Sequence, residues 1–316
     1  MIEVQVAART IETADICSYE LTSIDGQPLP AFTAGAHIDV HLPDGLVRQY
    51  SLCNHPEERH RYLIGVLRDP SSRGGSRSLH EQIQPGARLL ISEPRNLFAL
   101  APAARGSLLF AGGIGITPIL CMAEHLAQSG GAFALHYCAR SRDRAAFIER
   151  LEQSPYADRV FLHFDEEPVT ALDAVRVLAS PSADLHLYVC GPGGFMQHIL
   201  DTAKAQGWQE ANLHREYFAA APIDTTADGR FSVKLASSGQ VFEVPADRSV
   251  VQVLESHGIE VPISCEQGVC GTCLTRVLEG VPDHRDMFLT EAEQACNDQF
   301  TPCCSRSRTP LLVLDL

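Results

Sequence analysis

Five of the eleven cysteines lie in two short stretches near the C-terminal end of the chain. "SCEQGVCGTC" contains Cys265, Cys270 and Cys273, and "TPCC" adds Cys303 and Cys304. A Cys-x4-Cys-x2-Cys motif followed by a remote fourth cysteine is the ligand spacing of a plant-type 2Fe–2S cluster. Cys303 follows Cys273 after a gap of 29 residues. We therefore predict Cys265, Cys270, Cys273 and Cys303 as the metal ligands.

Two alternatives to this ligand set stay open. Cys304 is a rival fourth ligand, although neighbouring residues of a strand point to opposite faces and only one of the two can readily face a cluster. Zinc is the rival metal, but zinc sites usually pair one Cys-x2-Cys with a second pair or with histidines, and this stretch has a single pair. Gly268 and Gly271 favour a tight loop whose backbone N–H groups point at sulfur. The cysteines without ligand spacing are predicted to be small buried hydrophobic residues: Cys17, Cys53, Cys121, Cys138 and Cys296.

Two glycine-rich stretches in the middle of the chain predict a nucleotide site. In "LLFAGGIGITPIL" a buried strand runs through Gly112, Gly113 and Gly115 into a helix, which presents backbone N–H groups to a pyrophosphate. "YVCGPGGFM" repeats the arrangement after a later strand, with Cys190, Gly191 and Pro192. The first stretch lacks the G-x-G-x-x-G fingerprint, so an ordinary strand-to-helix turn is the alternative. Two such turns on one edge of a parallel sheet indicate a crevice for a dinucleotide.

The first hundred residues carry weaker signals for an anion site. In "SSRGGSRSLHEQI" a helix opens at Gly75, and Ser76 is expected to be its N-cap. Arg48 in "RQYSL" could add positive charge there. A nicotinamide gives two electrons as a hydride and an iron–sulfur cluster accepts one, so a flavin is expected between them. The N-terminal segment is the part of the chain left to hold this flavin.

The hydrophobic patterns divide the chain into three predicted domains. "HIDVHLP", "VRQYSL", "RYLIGVL" and "ARLLIS" read as short strands of an antiparallel β-barrel over residues 1–101. Strands alternating with helices over residues 102–221 predict an α/β domain with a parallel sheet. "DRAAFIERLEQS" and "TALDAVRVLA" are two of its expected helices. Residues 222–229 read as a linker, and residues 230–316 as an α+β, ferredoxin-like (β-grasp) domain.

Charge and composition restrict the partners. The formal net charge of −14 argues against nucleic acid and against an anionic membrane surface. The N-terminal residues "MIEVQVAART" show no signal-peptide pattern, and no apolar run is long enough for a membrane span. A cytoplasmic protein is expected, and clustered cysteines in that compartment hold metals more often than they form disulfides.

The order of these motifs resembles the phthalate dioxygenase reductase family. "RQYS", "GGS", "GGIGITP", "CGP" and the C-terminal cysteine motif occur in the family's order over the whole chain. Members belong to the ferredoxin–NADP⁺ reductase superfamily with an appended ferredoxin domain. The resemblance implies FMN, a 2Fe–2S cluster and NADH as cofactors.

The resemblance also implies roles for individual residues. FMN would be bound by Arg48, Tyr50, Ser51, Gly74, Gly75 and Ser76. The dinucleotide would be bound by Gly112, Gly113, Gly115, Thr117, Cys190, Gly191 and Pro192. Cys190 near the nicotinamide, Ser51, and Phe218 near the flavin would be the catalytic residues. Arg140, Arg142 and Arg144 could hold the 2′-phosphate of NADPH, or form a solvated basic loop.

The expected function is an NADH-dependent reductase that passes single electrons to a Rieske-type oxygenase acting on an aromatic compound. The sequence has no Rieske motif, so the oxygenase is expected to be a separate chain. The alternatives are a reductase of another Rieske system such as phthalate dioxygenase, a redox-sensing iron–sulfur flavoprotein and a structural zinc-binding protein.

Overall fold

The computed structural model describes residues 1–70, 74–102, 104–218 and 228–316. These residues form two compact units, Met1–Glu216 and Tyr217–Leu316, each with its own hydrophobic core. The predicted linker at 222–229 lies outside the described residues except for Asp228 and Gly229. Among the described residues, no helix is both long and apolar enough to cross a lipid bilayer.

The first sheet is a six-stranded antiparallel barrel, as predicted. Its elements are β1 (Ile2–Ile11), β2 (Ile16–Ser23), β3 (His37–His41), β4 (Val47–Ser51), β5 (Tyr62–Leu67), α1 (Gly75–Gln82) and β6 (Arg88–Ile91). The strand order is β4-β3-β6-β1-β2-β5. An antiparallel bridge between Leu52 and Ile64 joins the two ends of this order, which closes the barrel.

The second sheet of the same unit is parallel, and this prediction is also confirmed. Its elements are β7 (Gly106–Gly112), α2 (Ile116–Ser129), β8 (Ala132–Ala139), α3 (Ile148–Glu152), β9 (Val160–Phe164), α4 (Ala174–Val177), β10 (Leu185–Cys190), α5 (Gly193–Ala205) and β11 (Leu213–Glu216). The strand order β11-β10-β7-β8-β9 reverses direction between β7 and β10. Ligands of open parallel sheets bind at such a reversal, beyond the carboxyl ends of the strands.

Two of the expected helices are much shorter than predicted. The segment predicted as a helix at residues 143–154 is helical only over Ile148–Glu152. Phe147 before it has a φ of 61°, a left-handed conformation that stops a helix from extending backwards. The helix predicted near residues 170–179 spans only Ala174–Val177, where Asp173 accepts a hydrogen bond from the Arg176 N–H. Tertiary packing overrides helix propensity in both places.

The second unit has mixed topology around one short helix. Its elements are β12 (Phe231–Leu235), β13 (Val241–Val244), α6 (Val250–Ser256), β14 (Thr275–Glu279), β15 (Pro282–Asp283), α7 (Glu291–Cys296), β16 (Gln299–Phe300), β17 (Arg306–Ser307) and β18 (Leu311–Leu314). The main sheet has the order β13-β12-β18-β14-β16, with β12 and β18 parallel. Ser249 and Gln252 form a capping box that starts α6, and the valines of this helix enter the core. The predicted α+β ferredoxin-like fold is confirmed.

A buried ion-pair network connects Asp228 to two arginines of the second unit. The Asp228 side chain is 3% exposed and accepts hydrogen bonds from both terminal nitrogens of Arg285. Arg306 Nε lies 3.5 Å from Asp228 Oδ2, and this arginine also donates to the carbonyls of Gly229 and Pro245. Asp228 is therefore tied to both Arg285 and Arg306 of the same unit.

Replacing Asp228 by alanine should destabilise the second unit by about 3–5 kcal/mol, because two largely buried arginines lose a carboxylate partner. Urea unfolding of the full chain, followed by loss of the iron–sulfur absorbance, measures the change. Asp315→Ala is the matched control, since Asp315 is 55% exposed and 4.0 Å from Arg276, and it should cost less than about 1 kcal/mol. Equal midpoints for the two variants would contradict the proposed importance of the network.

Candidate active site and cluster site

The two glycine-rich turns of the parallel sheet touch each other. A Cβ on Gly115 would lie 2.2 Å from the carbonyl oxygen of Cys190, and a Cβ on Gly191 would lie 2.9 Å from Gly112 Cα. Neither position can accept a side chain, so the backbones after β7 and β10 pack directly together. Gly113 has a φ of 53° and nothing within 4 Å of its hypothetical Cβ, which leaves an open surface at the turn. The structure thus brings the predicted dinucleotide residues to one place.

Thr117 has a different environment from the rest of this set. Its hydroxyl donates to the Ile114 carbonyl at 3.1 Å, and its methyl group packs against Gly65 of the barrel, where a Cβ would lie 2.7 Å away. The side chain is 2% exposed. Thr117 therefore holds the turn against the barrel from inside the protein.

A buried carboxyl that the sequence analysis missed completes the site. Glu216 ends β11 beside the end of β10, and its Oε2 accepts a hydrogen bond of 3.1 Å from the Ser51 hydroxyl of the barrel. Burial raises the pKa of Glu216 to about 8, and the bond from Ser51 opposes the shift. Burial, reinforced by Glu216, also raises the pKa of the Cys190 thiol. The sequence "LHREYF" offered one signal for this residue, because an acidic side chain at the C-terminal end of a strand in a parallel sheet lies where ligands of such sheets bind.

The predicted FMN residues of the barrel lie around the start of α1. The Arg48 side chain packs directly on Gly75. A Cβ at position 75 would lie 2.6 Å from Arg48 Cγ. Gly74 has a φ of 100° and precedes the helix as its N-cap. Free N–H groups at a helix start and an adjacent guanidinium suit a phosphate. Tyr50 lies in β4 with Arg48 and Ser51 and packs against the core half-buried.

Ser76 is not the helix N-cap, and that prediction is wrong. The helix begins at Gly75 after Gly74, and no side chain caps it. Ser76 is 8% exposed within the first turn, and its hydroxyl accepts a hydrogen bond from the Asp69 N–H at 3.3 Å. The residue at the N-cap has a positive φ, which glycine adopts freely and serine adopts only with strain. Gly74 therefore occupies this position. Phe218, predicted near the flavin, belongs to the second compact unit and is 42% exposed.

The thiols of the four predicted cluster ligands are in contact with one another. Contacts with Cys270 and then Cys303 hold the pKa of Cys265 well below its ordinary value, and a contact with Cys303 lowers the pKa of Cys273. The Cys270 and Cys303 thiols have raised pKa values because of the same contacts. Cys265 contacts both Cys270 and Cys303, and Cys303 also contacts Cys273, so the four thiols converge on one place, as the four ligands of a 2Fe–2S cluster must.

The loop around these cysteines also fits a cluster. Backbone N–H groups donate to sulfur as predicted, from Gln267 to Cys265 at 3.4 Å and from Thr272 to Cys270 at 3.5 Å. Gly268 has a φ of 73°, and a Cβ there would lie 2.4 Å from the Cys304 sulfur. Among the described residues, no group of three or more His, Cys, Asp and Glu side chains is arranged as the ligands of one metal ion, so the fit rests on the paired thiols and the loop.

Cys303 and Cys304 do not lie on a strand, contrary to expectation. They occupy a turn between β16 and β17, so both side chains can point to the same side. Cys303 contacts the thiols of Cys265 and Cys273, whereas the Cys304 sulfur lies 3.3 Å from the Thr301 hydroxyl. The contacts favour Cys303 over Cys304 as the fourth ligand, although the argument from strand alternation was wrong.

The remaining cysteines divide by burial. Cys17, Cys53 and Cys121 are buried as predicted, and Cys138 is half-buried. Cys296 is exposed on α7, where its thiol donates to the Ala292 carbonyl, so the prediction of burial is wrong for this residue. The helix is short and polar, and its side chains stay outside the core.

Comparisons with known proteins agree with this architecture. The 2Fe-2S iron-sulfur cluster binding domain model matches residues 233–308, and the oxidoreductase NAD-binding domain model matches residues 109–201. Vanillate O-demethylase oxidoreductase of Pseudomonas putida is 74% identical over 317 residues and 100% of both chains. The reductase subunit of phthalate 4,5-dioxygenase from Pseudomonas putida is 43% identical over 99% of this chain and 96% of its own. The chain belongs to this family of oxygenase reductases.

A solved structure supports the family at the level of the fold. Phthalate dioxygenase reductase, described as a modular structure for electron transfer from pyridine nucleotides to 2Fe–2S, is similar with a TM-score of 0.78 at 39% identity. The similarity covers 100% of this chain and 98% of the other. The predicted resemblance to the phthalate dioxygenase reductase family is confirmed. A narrower resemblance of "AGAHIDVHLPDGLVRQYSLCN" and "NDQFTPCCSRS" to the reductase subunit of vanillate O-demethylase is confirmed as well.

Membership of the family establishes the class of chemistry. The chain is an electron-transfer oxidoreductase with a nucleotide-binding domain and a 2Fe–2S domain. FMN, a 2Fe–2S cluster and a nicotinamide dinucleotide are its cofactors, as predicted. The assignment of individual residues to these cofactors stays a prediction.

Substituting Cys303 by serine should remove the visible absorption of the 2Fe–2S cluster, because the group of four contacting thiols would lose one member. Cys304→Ser is the matched control from the same turn and should keep the spectrum. Iron content per chain and the absorption spectrum of both purified variants measure the effect. A cluster retained in the first variant and lost in the second would assign the ligand to Cys304 instead.

Proposed function

We propose that this chain carries electrons from NADH through FMN and a 2Fe–2S cluster to a separate Rieske-type oxygenase in the cytoplasm. The partner oxygenase is the one that demethylates vanillate, an aromatic compound. The support is similarity over 100% of both chains, at 74% identity, to a vanillate O-demethylase oxidoreductase.

The convergence of Ser51, Cys190 and Glu216 carries the proposal at the atomic level. Ser51 comes from the barrel strand that also bears Arg48 and Tyr50, while Cys190 and Glu216 end neighbouring strands of the parallel sheet. The flavin ring and the nicotinamide would meet where these three side chains do. FMN, when bound, accepts a hydride and releases electrons singly.

The residues of the chain then have separable roles. Arg48 and the N–H groups after Gly74 would hold the FMN phosphate, and Tyr50 would contact the ring system. Gly112 to Gly115 let the pyrophosphate approach the backbone, while Cys190 offers a neutral thiol beside the nicotinamide. Burial keeps water away from the place of hydride transfer, which prevents loss of the electrons to side reactions.

The loops that follow β8 and β9 favour NADH over NADPH. Arg142 forms hydrogen bonds of 2.5 Å to both carboxylate oxygens of Glu152, and Arg144 lies 2.7 Å from Asp15. Arg142 and Arg144 are therefore paired with carboxylates, whereas the third predicted arginine, Arg140, is exposed and forms no ion pair within the described part of the chain. Glu166 and Glu167 follow β9 on the same edge of the sheet.

A cleft lined by these loops is also acidic. Its volume is about 900 Å³, and Glu166, Glu167 and Asp143 line it. The three arginines in its wall are each paired with carboxylates: Arg61 with Glu20 and Glu58, Arg142 with Glu152, and Arg150 with Glu124. A 2′-phosphate would meet uncompensated carboxylates there, and their repulsion would weaken NADPH binding.

Glu152→Gln should raise kcat/KM for NADPH by about tenfold and leave kcat/KM for NADH nearly unchanged. The substitution releases Arg142 from its carboxylate, and one charged hydrogen bond to a phosphate contributes about 1.5–3 kcal/mol, part of which solvent screens. Asp158→Asn, which neutralises an exposed carboxylate outside the lining of the cleft, is the control. Initial rates with ferricyanide measure both donors. A purified wild type that already prefers NADPH would contradict this account of donor choice.

Truncation tests the order of electron flow. A chain ending at Asp224 should keep FMN and oxidise NADH with ferricyanide, because Met1–Glu216 is a compact unit with its own core. The truncated chain should not support vanillate turnover by the oxygenase, since all the predicted cluster ligands are gone. The full chain with Cys304→Ser is the control. It keeps all four predicted cluster ligands and should still support vanillate turnover. Oxygenase turnover at the intact rate by the truncated chain would contradict the proposed route, and an intact chain without steady NADH oxidation would favour a redox sensor.

A further inference from the structure

One glycine of the barrel has no conformational reason to be a glycine. Gly65 lies inside β5, and its φ is not in the positive range that favours glycine. A glycine in the interior of a strand costs stability relative to alanine, because it has more conformational freedom to lose on folding. The reason for the glycine must therefore lie in what surrounds it.

The neighbour of Gly65 is the first turn of α2. A Cβ at position 65 would lie 2.7 Å from the Cγ2 methyl of Thr117, whereas ordinary contact begins near 3.4 Å. Either β5 or Thr117 would have to move by about 0.7 Å to admit the added methyl group. The bare backbone of Gly65 thus lets the start of α2 lie directly against the barrel.

Two restraints keep Thr117 from turning its side chain away. Its hydroxyl donates to the Ile114 carbonyl at 3.1 Å, and the residue is 2% exposed. A β-branched side chain also has few alternative rotamers. Ile114 is the middle residue of the turn Gly113–Gly115, which the proposed function assigns to the dinucleotide. A displacement of the Thr117 methyl is therefore a displacement of this turn.

The barrel side of the contact is restrained as well. Ile64, beside Gly65, forms the antiparallel bridge to Leu52 that closes the barrel, and Leu52 directly follows β4. The Phe147 ring lies 3.4 Å from the hypothetical Cβ of Gly65 and occupies the space next to Thr117. Phe147 keeps a left-handed φ of 61°, and such backbone strain persists only where the surrounding packing holds it. The contact is thus joined to the strand that bears the proposed flavin residues.

These contacts connect the two parts of the site that must meet for hydride transfer. We propose that Gly65 is a positioning residue for this step: its missing side chain sets how closely the dinucleotide turn approaches the flavin strand of the barrel. The inference rests on the proposed function, in which a hydride passes from NADH to FMN, leaving NAD⁺ and giving both electrons to the flavin. Hydride transfer needs the reacting atoms about 3–3.5 Å apart, so a displacement of several tenths of an ångström slows it.

Stopped-flow reduction of the FMN-loaded full chain by NADH tests this role. Gly65→Ala should keep its FMN and should keep the half-saturating NADH concentration within about twofold, while the limiting rate of flavin reduction falls by about tenfold or more. NADH deuterated at the transferred position should show an isotope effect on this limiting rate, which identifies hydride transfer as the step that has slowed.

Thr117→Ser supplies the rescue. It removes the methyl group that the new Cβ meets and keeps the hydroxyl that donates to Ile114. The double variant, Gly65→Ala with Thr117→Ser, should therefore reduce its flavin within about twofold of the rate of Thr117→Ser alone.

Gly106→Ala is the matched control for the glycine substitution. Gly106 begins β7 at the opposite end of this strand from the dinucleotide turn. The nearest neighbour of its hypothetical Cβ is the flexible end of the Leu185 side chain, at 3.0 Å. The limiting rate of this variant should equal that of the wild type.

Thermal unfolding of the FMN-free full chain reads the same contact without any cofactor. Gly65→Ala should lower the midpoint by about 2–4 °C, because overpacking outweighs the gain from a residue with less freedom. Thr117→Ser should lower the midpoint of the wild type by removing a buried methyl group, and should raise the midpoint of Gly65→Ala. The opposite signs isolate the contact between positions 65 and 117.

An unchanged limiting rate in Gly65→Ala would overturn the positioning role, and so would a loss of rate that Thr117→Ser does not restore. Loss of FMN from Gly65→Ala would also overturn it, because the position would then serve flavin binding. If Gly65→Ala does not fold, the double variant decides. Flavin reduction at the rate of Thr117→Ser supports the contact, and a much slower rate overturns it. A wild type whose flavin NADH does not reduce would contradict the proposed function, whereas the cofactor-free midpoints would still test the contact.

Discussion

Close packing of two backbones, at the turns after β7 and β10, is the constraint on which the flavin–nucleotide unit depends. The Gly115 backbone lies against the Cys190 carbonyl, and Gly112 lies against Gly191, with no room for a Cβ at either contact. Because the turns touch, the ends of β7 and β10 stay together where the strand order reverses. The same packing fixes Cys190 beside Glu216 of the adjoining strand. A side chain at Gly115 would separate the groups that are to surround the nicotinamide.

The electron count of the reaction explains why the chain has two compact units. A hydride carries two electrons, and an iron–sulfur cluster accepts one at a time. The residues suited to a flavin and a dinucleotide all lie in Met1–Glu216, apart from Phe218, whereas the paired thiols lie in Tyr217–Leu316. Each unit has its own core, so the packing that excludes water around the hydride is independent of the packing that shields the thiols. The two chemical demands are met by separate sets of buried residues.

The sequence was sufficient where a local rule determines the structure. Cysteine spacing identified the thiols that come into contact, and glycine positions identified the turns, since both follow from short-range geometry. It was insufficient where distant residues decide. Phe147 in a left-handed conformation shortens a helix that propensity alone would extend. Strands β1 and β2, the longest of the barrel, were not recognised at all, because no motif marks them. Glu216 and His37 carry no motif either, and only the folded chain places them together.

Those two residues also show what kind of group a sequence pattern overlooks. Most carboxylates of this protein lie at the surface or pair with an arginine, as Asp39 does with Arg95 and Asp228 with Arg285. Glu216 instead faces a hydroxyl, a thiol and a neutral imidazole. Burying a carboxyl without a cationic partner costs stability, because the group must remain protonated above its ordinary pKa. An arginine in place of His37 would remove this cost and would also ionise the carboxyl permanently. The protonation state of Glu216 is therefore determined by burial and not by a cationic partner.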